Sequence, residues 1–522
     1  MTWRHYLLLG LLGLVVGTGV AVFQPVPGYM DADYYAANGL QLASGRGFTE
    51  PFLWNYLDNP SGLPHPSHAY WMPLASLLAA AGAALFRTSS WSALRIGFLA
   101  LAACIPPVTT ALSFSWSSRR DLALASGLLA VFSAFYLPFL STTDTFGPYM
   151  LLGGLFFLSL NIRSAHFKAL ILGLLAGLMH LSRADGLLWL AMGLLAVICL
   201  KSETQKRQLP ALLLSLFLCL AGYLVVMGPW LYRNVSVFGT ALAPGGFRSL
   251  WLTRYDQLFS YPALPLNFSS WWASGLAAIL KARLWALGMN LANALAVQAE
   301  ILLLPLIGVG LWVLRRDRRV QLAILGWLLT IGAMTLVFPF AGARGGFLHS
   351  GAALQPIWWT VALIGLDRLV DWAAHLRGWN RRQSGTLFGW ALLIAVALVS
   401  VVVVYGRVIG RFSGAPAWGR ENAAYQLVGE YLASQGAELE SVVIVANPPG
   451  FYLASGHPAI AVPDGDIETI RELAGRYDAQ YLVLEKNSTP ARLEPVYLHP
   501  DGQTGLRYLG EVEEARIFVI QP

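Results

Sequence analysis

The chain has 522 residues, of which 56% are hydrophobic and 12% are charged, whereas a soluble globular protein has about 25% charged residues. Its formal net charge is +7, but most basic residues lie in short loops between apolar runs, where lysine and arginine set the orientation of a membrane protein. The composition excludes a soluble fold, and the placement of the basic residues argues against nucleic acid as a partner.

Eleven apolar runs follow one another along the chain, most of them close to the ~20 residues that a helix needs to span a bilayer. The runs are continuously apolar and do not alternate, so they predict helices and not a β-barrel. The first run follows Arg4 and His5, and we interpret it as an uncleaved anchor and not as a cleaved signal peptide. The predicted spans cover residues 6–23, 96–116, 121–140, 146–162, 169–182, 187–200, 210–231, 299–314, 320–340, 354–367 and 386–406.

Clusters of basic residues mark alternate loops between these runs. They are Arg119 and Arg120; Arg163 and Lys168; Lys201, Lys206 and Arg207; Arg315, Arg316, Arg318 and Arg319; and Arg368, Arg377, Arg381 and Arg382. Placing all of them in the cytoplasm predicts a multi-pass protein of the plasma membrane with its N-terminus inside and its C-terminus outside. A further apolar stretch at 69–86 would break this pattern as a span, so we predict that it lies at the membrane interface.

The chain is expected to form two domains. Residues 1–409 form the membrane domain, with long outer loops at 24–95 and 232–298, and residues 410–522 form a small extracytoplasmic α/β domain. In that second domain, helix-like and strand-like segments alternate; they are 420–435, 441–446, 458–462, 467–475 and 480–484. The turn at 447–450 has neither a dinucleotide-binding nor a P-loop pattern.

Charged residues collect at the outer ends of the predicted spans and are almost missing from their interiors. Transporters usually bury ionisable groups near the bilayer midplane, so this distribution argues against a transporter and predicts a site at the outer face. The densest polar cluster, residues 28–35, contains Asp31 and Asp33. Because these two residues are two positions apart, they cannot share a helical face, but in a turn they can flank one site. Alternatively, one of them caps a helix at 32–43.

Other outer corners carry paired polar residues. The first outer loop closes with His65 and His68, and residues 182–186 contain Arg183 and Asp185. These last two could be a self-paired turn or part of a site. The seventh span ends at Arg233 and Asn234, which could form an interfacial aromatic–arginine belt, and Arg344 with His349 marks one more corner.

These segments resemble the GT-C glycosyltransferases, which include protein O-mannosyltransferases and the aminoarabinose transferases of lipid A. Those enzymes have a carboxylate pair after the first span and then a Tyr-rich helix with a Gly-x-Gly end, here Gly45-Arg46-Gly47. His65-Pro66-Ser67 resembles the His/Lys-Pro-Pro stretch that closes this loop, and residues 181–186 and 229–234 resemble further recurring segments. Two positions depart from the pattern: Asp33 stands where Glu usually follows the first Asp directly, and Ser67 replaces the second proline.

The resemblance covers roughly residues 1–370 and implies an α-helical polytopic GT-C fold of about eleven spans. It implies an inverting enzyme that moves a hexosyl or pentosyl group from a polyprenyl-phosphate lipid to an acceptor hydroxyl of a protein, lipid or glycan outside the membrane. Its partners are then this donor, membrane lipid and the acceptor. One carboxylate serves as general base, and a phosphate leaving group needs no acid to protonate it, in contrast to glycoside hydrolysis.

We assign Asp31 as the base and Asp33 as its helper, with their roles open to exchange. Arginine suits phosphate because its planar fork can donate two hydrogen bonds. The residues assigned to bind substrate are Tyr35, His65, His68, Tyr70, Arg183, Asp185, Arg233, Asn234, Arg344 and His349. Asp31 and Asp33 could also hold a divalent cation, but we expect that no cofactor is required.

Three other functions stay open. A ligase or polymerase of lipid-linked polymers would depend on outer Arg and His residues more than on an Asp after the first span. A flippase or transporter of lipid-linked oligosaccharides is disfavoured by the nearly charge-free spans. A non-catalytic scaffold would tolerate substitution of Asp31.

Overall fold

The computed structural model describes residues 1–200, 209–410 and 416–521. Lys201, Lys206 and Arg207, which were predicted to mark a cytoplasmic loop, lie outside these residues. Within the described ranges the chain is mostly helical, and six helices are long and apolar enough to cross a membrane. The chain is therefore a multi-pass helical membrane protein.

The helices of the membrane part are labelled in chain order over the described residues. They are α1 (Trp3–Ala21), α2 (Met30–Ala43), α3 (Leu74–Phe86), α4 (Trp91–Ser117), α5 (Arg120–Phe132), α6 (Phe146–Ser159), α7 (Ala165–Ser182), α8 (Leu187–Cys199), α9 (Leu209–Phe238), α10 (Pro244–Arg248), α11 (Phe268–Ala273), α12 (Leu276–Asn293), α13 (Leu304–Val313), α14 (Arg318–Gly332), α15 (Pro339–Ala341), α16 (Phe347–Ala352), α17 (Gln355–Arg377) and α18 (Arg381–Val404). Single turns of 3₁₀ or π type extend or join several of them, at Ala134–Phe139, Ala184–Gly186, Ser249–Trp251, Tyr255–Phe259, Ala294–Gln298, Ala333–Val337, Gly342–Gly346 and Tyr405–Ile409.

Each of the eleven predicted runs coincides with one of these helices. In the run 299–314 the helix begins only at Leu304. Glu300 and Ile301 have positive φ angles of 47° and 59°, a conformation that ends a helix of L-residues. The stretch 69–86 is helical from Leu74, and its location at the membrane interface stays a prediction.

The basic loops meet at one end of the helices. Arg119 Nη1 lies 2.8 Å from Asp367 Oδ2, and Arg319 Nη1 donates to Asn161 Oδ1 at 2.9 Å. These contacts join loops that the charge pattern assigned to the cytoplasm. The shared end agrees with that assignment, and the side of the membrane on which it lies stays a prediction.

The C-terminal part of the chain and two residues of the first long loop form a six-stranded sheet with the order β2-β5-β4-β6-β8-β7. The first four strands in that order are parallel, and β8 and β7 are antiparallel to their neighbours. The sheet strands are β2 (Phe52–Leu53), β4 (Val442–Val445), β5 (Ala459–Ala461), β6 (Ala479–Glu485), β7 (Leu506–Val512) and β8 (Ala515–Ile520), and a separate pair is formed by β1 (Thr49–Glu50) and β3 (His65–Pro66). The helices of this part are α19 (Arg420–Ser434), α20 (Pro448–Ser455), α21 (Ile467–Tyr477) and α22 (Glu494–Leu498).

The structure confirms the predicted helices at 420–435 and 467–475 and the predicted strands at 441–446, 458–462 and 480–484. The first strand of the sheet was not foreseen. Phe52 and Leu53 of the first outer loop pair in parallel with Ala459 and Ile460. One sheet therefore connects the two predicted domains, and their boundary at residue 409 stays a prediction.

Helix α2 packs between α3 of its own loop and α20 of the C-terminal part. A Cβ at Gly39 would come within 2.7 Å of the Ala79 Cβ, so glycine allows α2 and α3 to approach closely. Near the same end of α2, Tyr452 Oη of α20 accepts a hydrogen bond from Gln41 Nε2 at 3.0 Å. The first turn of α2, which carries Asp31 and Asp33, is thereby held at the ends of the membrane helices that lie opposite the basic loops.

Candidate active site

A cavity of about 380 Å³ opens beside the first turn of α2. Much of its wall is apolar and comes from α8, α9 and the second outer loop, for example Leu187, Leu231 and Phe247. Its polar residues are Asp31, Tyr35, Tyr70, His180, Arg183, Asp185, Asn234, Ser249, Tyr255, Arg344 and His349. The cavity thus combines a long apolar wall with one charged region.

Asp31 is the carboxylate of α2 that faces this cavity. Its side chain retains 33% exposure, and its Oδ2 lies 3.6 Å from His349 Nε2. Partial burial and then the negative charge of Asp144 raise the pKa of Asp31 to about 7, against the lowering effect of Arg183. A carboxylate with this environment can accept a proton near neutral pH.

Asp33 does not line the cavity with Asp31. Asp31 and Asp33 are related by a rotation of about 200° around the helix. Neither residue caps the helix, because the N-cap residue is Tyr29, whose side chain makes no capping hydrogen bond. Asp33 is 6% exposed, and its Oδ2 accepts a hydrogen bond from Asn447 Nδ2 at 3.0 Å. Burial, followed by the charge of Glu421, raises the pKa of Asp33 to about 8. Asp33 is therefore turned toward α19, which carries Glu421, and toward α20, which follows Asn447.

The acidic neighbour of Asp31 is Asp144, in the turn between α5 and α6. Asp144 is 1% exposed and accepts a hydrogen bond of 2.5 Å from the Tyr29 hydroxyl. Its Oδ1 lies 3.6 Å from His349 Nδ1. Burial and the nearby Arg183 guanidinium hold the pKa of His349 well below its usual range, which favours the neutral imidazole.

Asp31, Asp144 and His349 could hold a metal ion, since each offers one ligand atom and these atoms lie within 4.8 Å of one another. The cation site considered from the sequence, at Asp31 and Asp33, is replaced by this set because Asp33 faces away. Two carboxylates and an imidazole are a donor set that fits divalent cations such as Zn²⁺.

Two arginines in the cavity wall differ in their partners. Arg183 Nε lies 2.9 Å from Asp185 Oδ1, so these residues form the self-paired turn that the sequence allowed. Asp185 also accepts from the Tyr149 hydroxyl at 3.2 Å. The Arg344 guanidinium lies 4.0 Å over the ring of Tyr255, a contact that uses its face and leaves its N–H edge able to bind an anion.

Aromatic rings form a further part of the cavity wall. Trp54 and Trp71 stack with ring centroids 4.3 Å apart and an interplanar angle of 9°. Tyr70, one of the predicted binding residues, contacts Trp54 edge-on at 4.9 Å. Tyr35, also predicted, packs against Trp71 at 6.1 Å. These rings line the same cavity as Asp31.

The two predicted histidines of the first outer loop lie away from the cavity. His65 Nε2 is 2.7 Å from Asp58 Oδ2. His68 is fully buried, with its ring nitrogens 2.8 Å from Ser67 Oγ and 3.1 Å from Ser76 Oγ. Burial, with a smaller effect of Arg233, lowers the pKa of His68 to about 3. Their contacts stabilise the loop itself.

Arg233 and Asn234, which are adjacent in the sequence, lie in different surroundings. The Arg233 guanidinium lies 4.8 Å over the rings of Trp230 and Phe238 and donates to the Ser67 carbonyl at 2.9 Å. It therefore forms an aromatic–arginine cluster that braces the first outer loop. Asn234 lines the cavity and donates through Nδ2 to the Ala241 carbonyl at 3.3 Å.

Asp144 was missed from the sequence although a signal was present. The polar segment at 141–145 interrupts two apolar runs at an outer corner. Its hydroxyl groups bind the segment around the start of α2: Thr142 Oγ1 donates to the Pro27 carbonyl at 2.9 Å and Thr143 Oγ1 to the Ala32 carbonyl at 2.7 Å. A lone Asp within a Thr-rich turn at the membrane surface was the observation that could have identified it.

The architecture is shared with solved membrane glycosyltransferases at low sequence identity. The oligosaccharyltransferase of Archaeoglobus fulgidus, in a complex with zinc and sulfate, matches 98% of this chain and 73% of its own at 11% identity, with a TM-score of 0.58. ArnT from Cupriavidus metallidurans, bound to undecaprenyl phosphate, matches over 98% of this chain and 97% of its own, at 13% identity and a TM-score of 0.55. The chain has the GT-C fold.

A third GT-C structure, the mycobacterial arabinofuranosyltransferase AftD, matches all of this chain and 42% of its own at 14% identity, with a TM-score of 0.50. No protein-family model and no curated protein matches the chain. The GT-C architecture confirms the predicted fold class, a polytopic helical membrane protein with a small sheet region near the C-terminus. At these identities the comparison extends to the fold and not to the substrate.

Proposed function

We propose that this GT-C chain is an inverting glycosyltransferase that moves a hexosyl or pentosyl group from a polyprenyl-phosphate lipid to an acceptor hydroxyl at the outer face of the membrane. The observation that carries the proposal is the position of Asp31 in a cavity that also contains Arg183 and Arg344. A base, cations for phosphate and an apolar wall for a lipid chain meet there. The neighbours agree with this chemistry, because the ArnT structure contains undecaprenyl phosphate and an oligosaccharyltransferase structure holds an acceptor peptide.

In the proposed reaction the acceptor hydroxyl gives its proton to Asp31 while its oxygen attacks the anomeric carbon of the sugar. The bond from that carbon to the phosphate oxygen breaks on the opposite side, so the configuration inverts. The lipid phosphate leaves as an anion, stabilised by Arg344 and by the part of Arg183 not engaged with Asp185. The stacked rings of Trp54 and Trp71 offer a flat surface against which a sugar ring fits.

We propose that transfer needs no metal. If a divalent cation binds, Asp31, Asp144 and His349 are the residues that would hold it, and it would supply Lewis-acid stabilisation of the departing phosphate. Turnover that persists after dialysis against a chelator supports the metal-free reaction, and loss of turnover that Zn²⁺ or Mn²⁺ restores contradicts it.

The test is turnover of radiolabelled polyprenyl-phosphate sugars by the purified protein, read as release of lipid phosphate and transfer of label to a membrane or protein extract. Asp31→Asn keeps the size of the side chain and removes the base, so we expect turnover to fall by ~10²-fold or more. Asp33→Asn should retain measurable turnover because that side chain faces Asn447. Asp464→Asn, at a carboxylate outside the cavity, is the matched control.

Full activity of Asp31→Asn would overturn the assignment of the base. If no donor of the panel turns over in the parent protein, the glycosyltransferase proposal fails, and the transporter and scaffold alternatives become the better explanations.

A further inference from the structure

The segment that leads into α2 is held from two sides. On the membrane side, Thr142 and Thr143 donate hydrogen bonds to carbonyls of this segment. On the other side, two residues of the outer domain, Trp418 and Asn447, contact residues 26–33. These contacts lie two to five residues from Asp31 along the chain.

Trp418 fixes the approach to the helix. Its indole Nε1 donates to the carbonyls of Val26 at 3.1 Å and Pro27 at 3.0 Å. Gly28, with φ of 98°, lies directly against the indole, and a Cβ there would come within 2.0 Å of Nε1. The ring of Tyr29 packs edge-on against Trp418 at 5.7 Å, which holds the residue whose hydroxyl binds Asp144.

Asn447 fixes the first turn of the helix. Its Nδ2 donates to Asp33 Oδ2 at 3.0 Å and to Glu421 Oε1 at 2.8 Å. Its Oδ1 accepts from the Gly450 N–H at 3.1 Å and so caps α20. The packing is close, since a Cβ at Gly450 would lie 2.8 Å from Asp33 Oδ2. One buried amide group therefore connects α2, α19 and α20.

We propose that the outer domain positions the catalytic base, with Asn447 and Trp418 as positioning residues that hold Asp33 and the approach to α2 so that Asp31 faces the cavity. The inference rests on the proposed role of Asp31 as base. Because Asp31 and Asp33 project about 200° apart on one helix, fixing one side chain sets the direction of the other. Misplacing a reacting group by ~1 Å can cost on the order of 10²-fold in rate.

The test compares two substitutions in the same short helix α20 and its cap. Asn447→Asp keeps the oxygen that caps Gly450 and replaces the donor that binds Asp33 by an acceptor. Tyr452→Phe removes a single hydrogen bond, the one that the Tyr452 hydroxyl accepts from Gln41 Nε2 at the far end of α2. In Asn447→Asp we expect kcat to fall by on the order of 10²-fold, with unchanged affinity for undecaprenyl phosphate and faster amide exchange at residues 30–36. Tyr452→Phe should match the parent in all three measurements.

Trp418→Phe provides a second variant in case Asn447→Asp folds poorly. It keeps an aromatic ring against Gly28 and removes the donor to Val26 and Pro27, and we expect the same direction of change in kcat and in exchange.

Parental kcat in both Asn447→Asp and Trp418→Phe, or an equal loss in Tyr452→Phe, overturns the positioning role. The proposed function fails separately: if amide exchange at 30–36 accelerates in the two variants while even the parent releases no lipid phosphate from any donor, the positioning stands and the transfer reaction does not.

Discussion

Asp31 shares its surroundings with a second carboxylate, and this pair determines how the proposed base should titrate. Burial and the charge of Asp144 raise the pKa of Asp31 to about 7. A base must be ionised to accept a proton, so kcat/KM should fall as the pH is lowered through 7, by about tenfold for each further unit.

The substitution Asp144→Asn tests this dependence. It removes the neighbouring negative charge, which lowers the pKa of Asp31, so the acidic limb of the pH–rate profile should move to lower pH. Tyr29 can still donate to the amide oxygen at 144. The control Asp464→Asn should leave the acidic limb of the pH–rate profile unchanged. An acidic limb that stays near pH 7 in Asp144→Asn would contradict the proposed effect of the Asp144 charge on the pKa of Asp31.

At the residue scale, most of the side chains assigned from the sequence lie in one cavity, and their roles stay predictions. Seven of the predicted site residues besides Asp31 line the cavity, namely Tyr35, Tyr70, Arg183, Asp185, Asn234, Arg344 and His349. Asp33 does not, because α2 begins at Met30 and places both acidic residues inside the helix, on different faces. A sequence cannot fix a helix start to within one residue, and one residue rotates a side chain by about 100°.

Among the elements, the helices α7 and α9 approach each other through glycine. A Cβ at Gly173 would come within 2.0 Å of the Cys219 carbonyl oxygen, and one at Gly222 within 2.5 Å of the Leu170 carbonyl oxygen. Small residues allow membrane helices to pack backbone to backbone, where dispersion and weak contacts stabilise association. Since α7 ends at Ser182, this contact also supports the corner that carries Arg183.

We therefore expect Gly173→Ala to lower the free energy of unfolding by ~1–3 kcal/mol, the usual cost of overpacking. The measurement is thermal unfolding in detergent, followed by near-UV circular dichroism. Gly389→Ala is the matched control because a Cβ there meets no atom within 4 Å. Equal melting temperatures for the two variants would contradict the prediction, because they would show that α7 and α9 accommodate the added methyl group without loss of stability.

Elements defined by local pattern were predicted in part, since the hairpin of β7 and β8 and the helices α20 and α22 were missed, and the strand defined by a distant partner was not predicted. The apolar runs and the segments 441–446 and 480–484 carry their own signal, because burial on all sides requires continuous hydrophobicity. Strand β2 has two residues, Phe52 and Leu53, which is too short for any periodicity. Only its partner β5 makes it a strand.

For the whole molecule, the distribution of basic residues predicts which side of the membrane each end faces. The loops around Arg119, Arg319 and Arg381 lie at one end of the helices, whereas the sheet lies at the end that carries the cavity. An excess of arginine and lysine marks the cytoplasmic side.

Cysteine labelling tests this orientation. In a background without Cys104, Cys199 and Cys219, a membrane-impermeant maleimide should label Asn487→Cys in sealed right-side-out vesicles. Arg316→Cys should react only after the membrane is permeabilised. Both positions are exposed, so their accessibility in opened vesicles serves as the control, and the reverse pattern would invert the proposed topology.

The pairing of β2 with β5 also has a consequence for biosynthesis. Phe52 meets Ala459, a partner that leaves the ribosome roughly four hundred residues later, after every predicted span has been inserted. Contacts of this sequence separation form late, and the edge of β2 stays unpaired until then. The loop that carries Asp31 therefore reaches its final form only when the last domain has been translated, so a chain released early carries the acidic residues but lacks the partners that orient them.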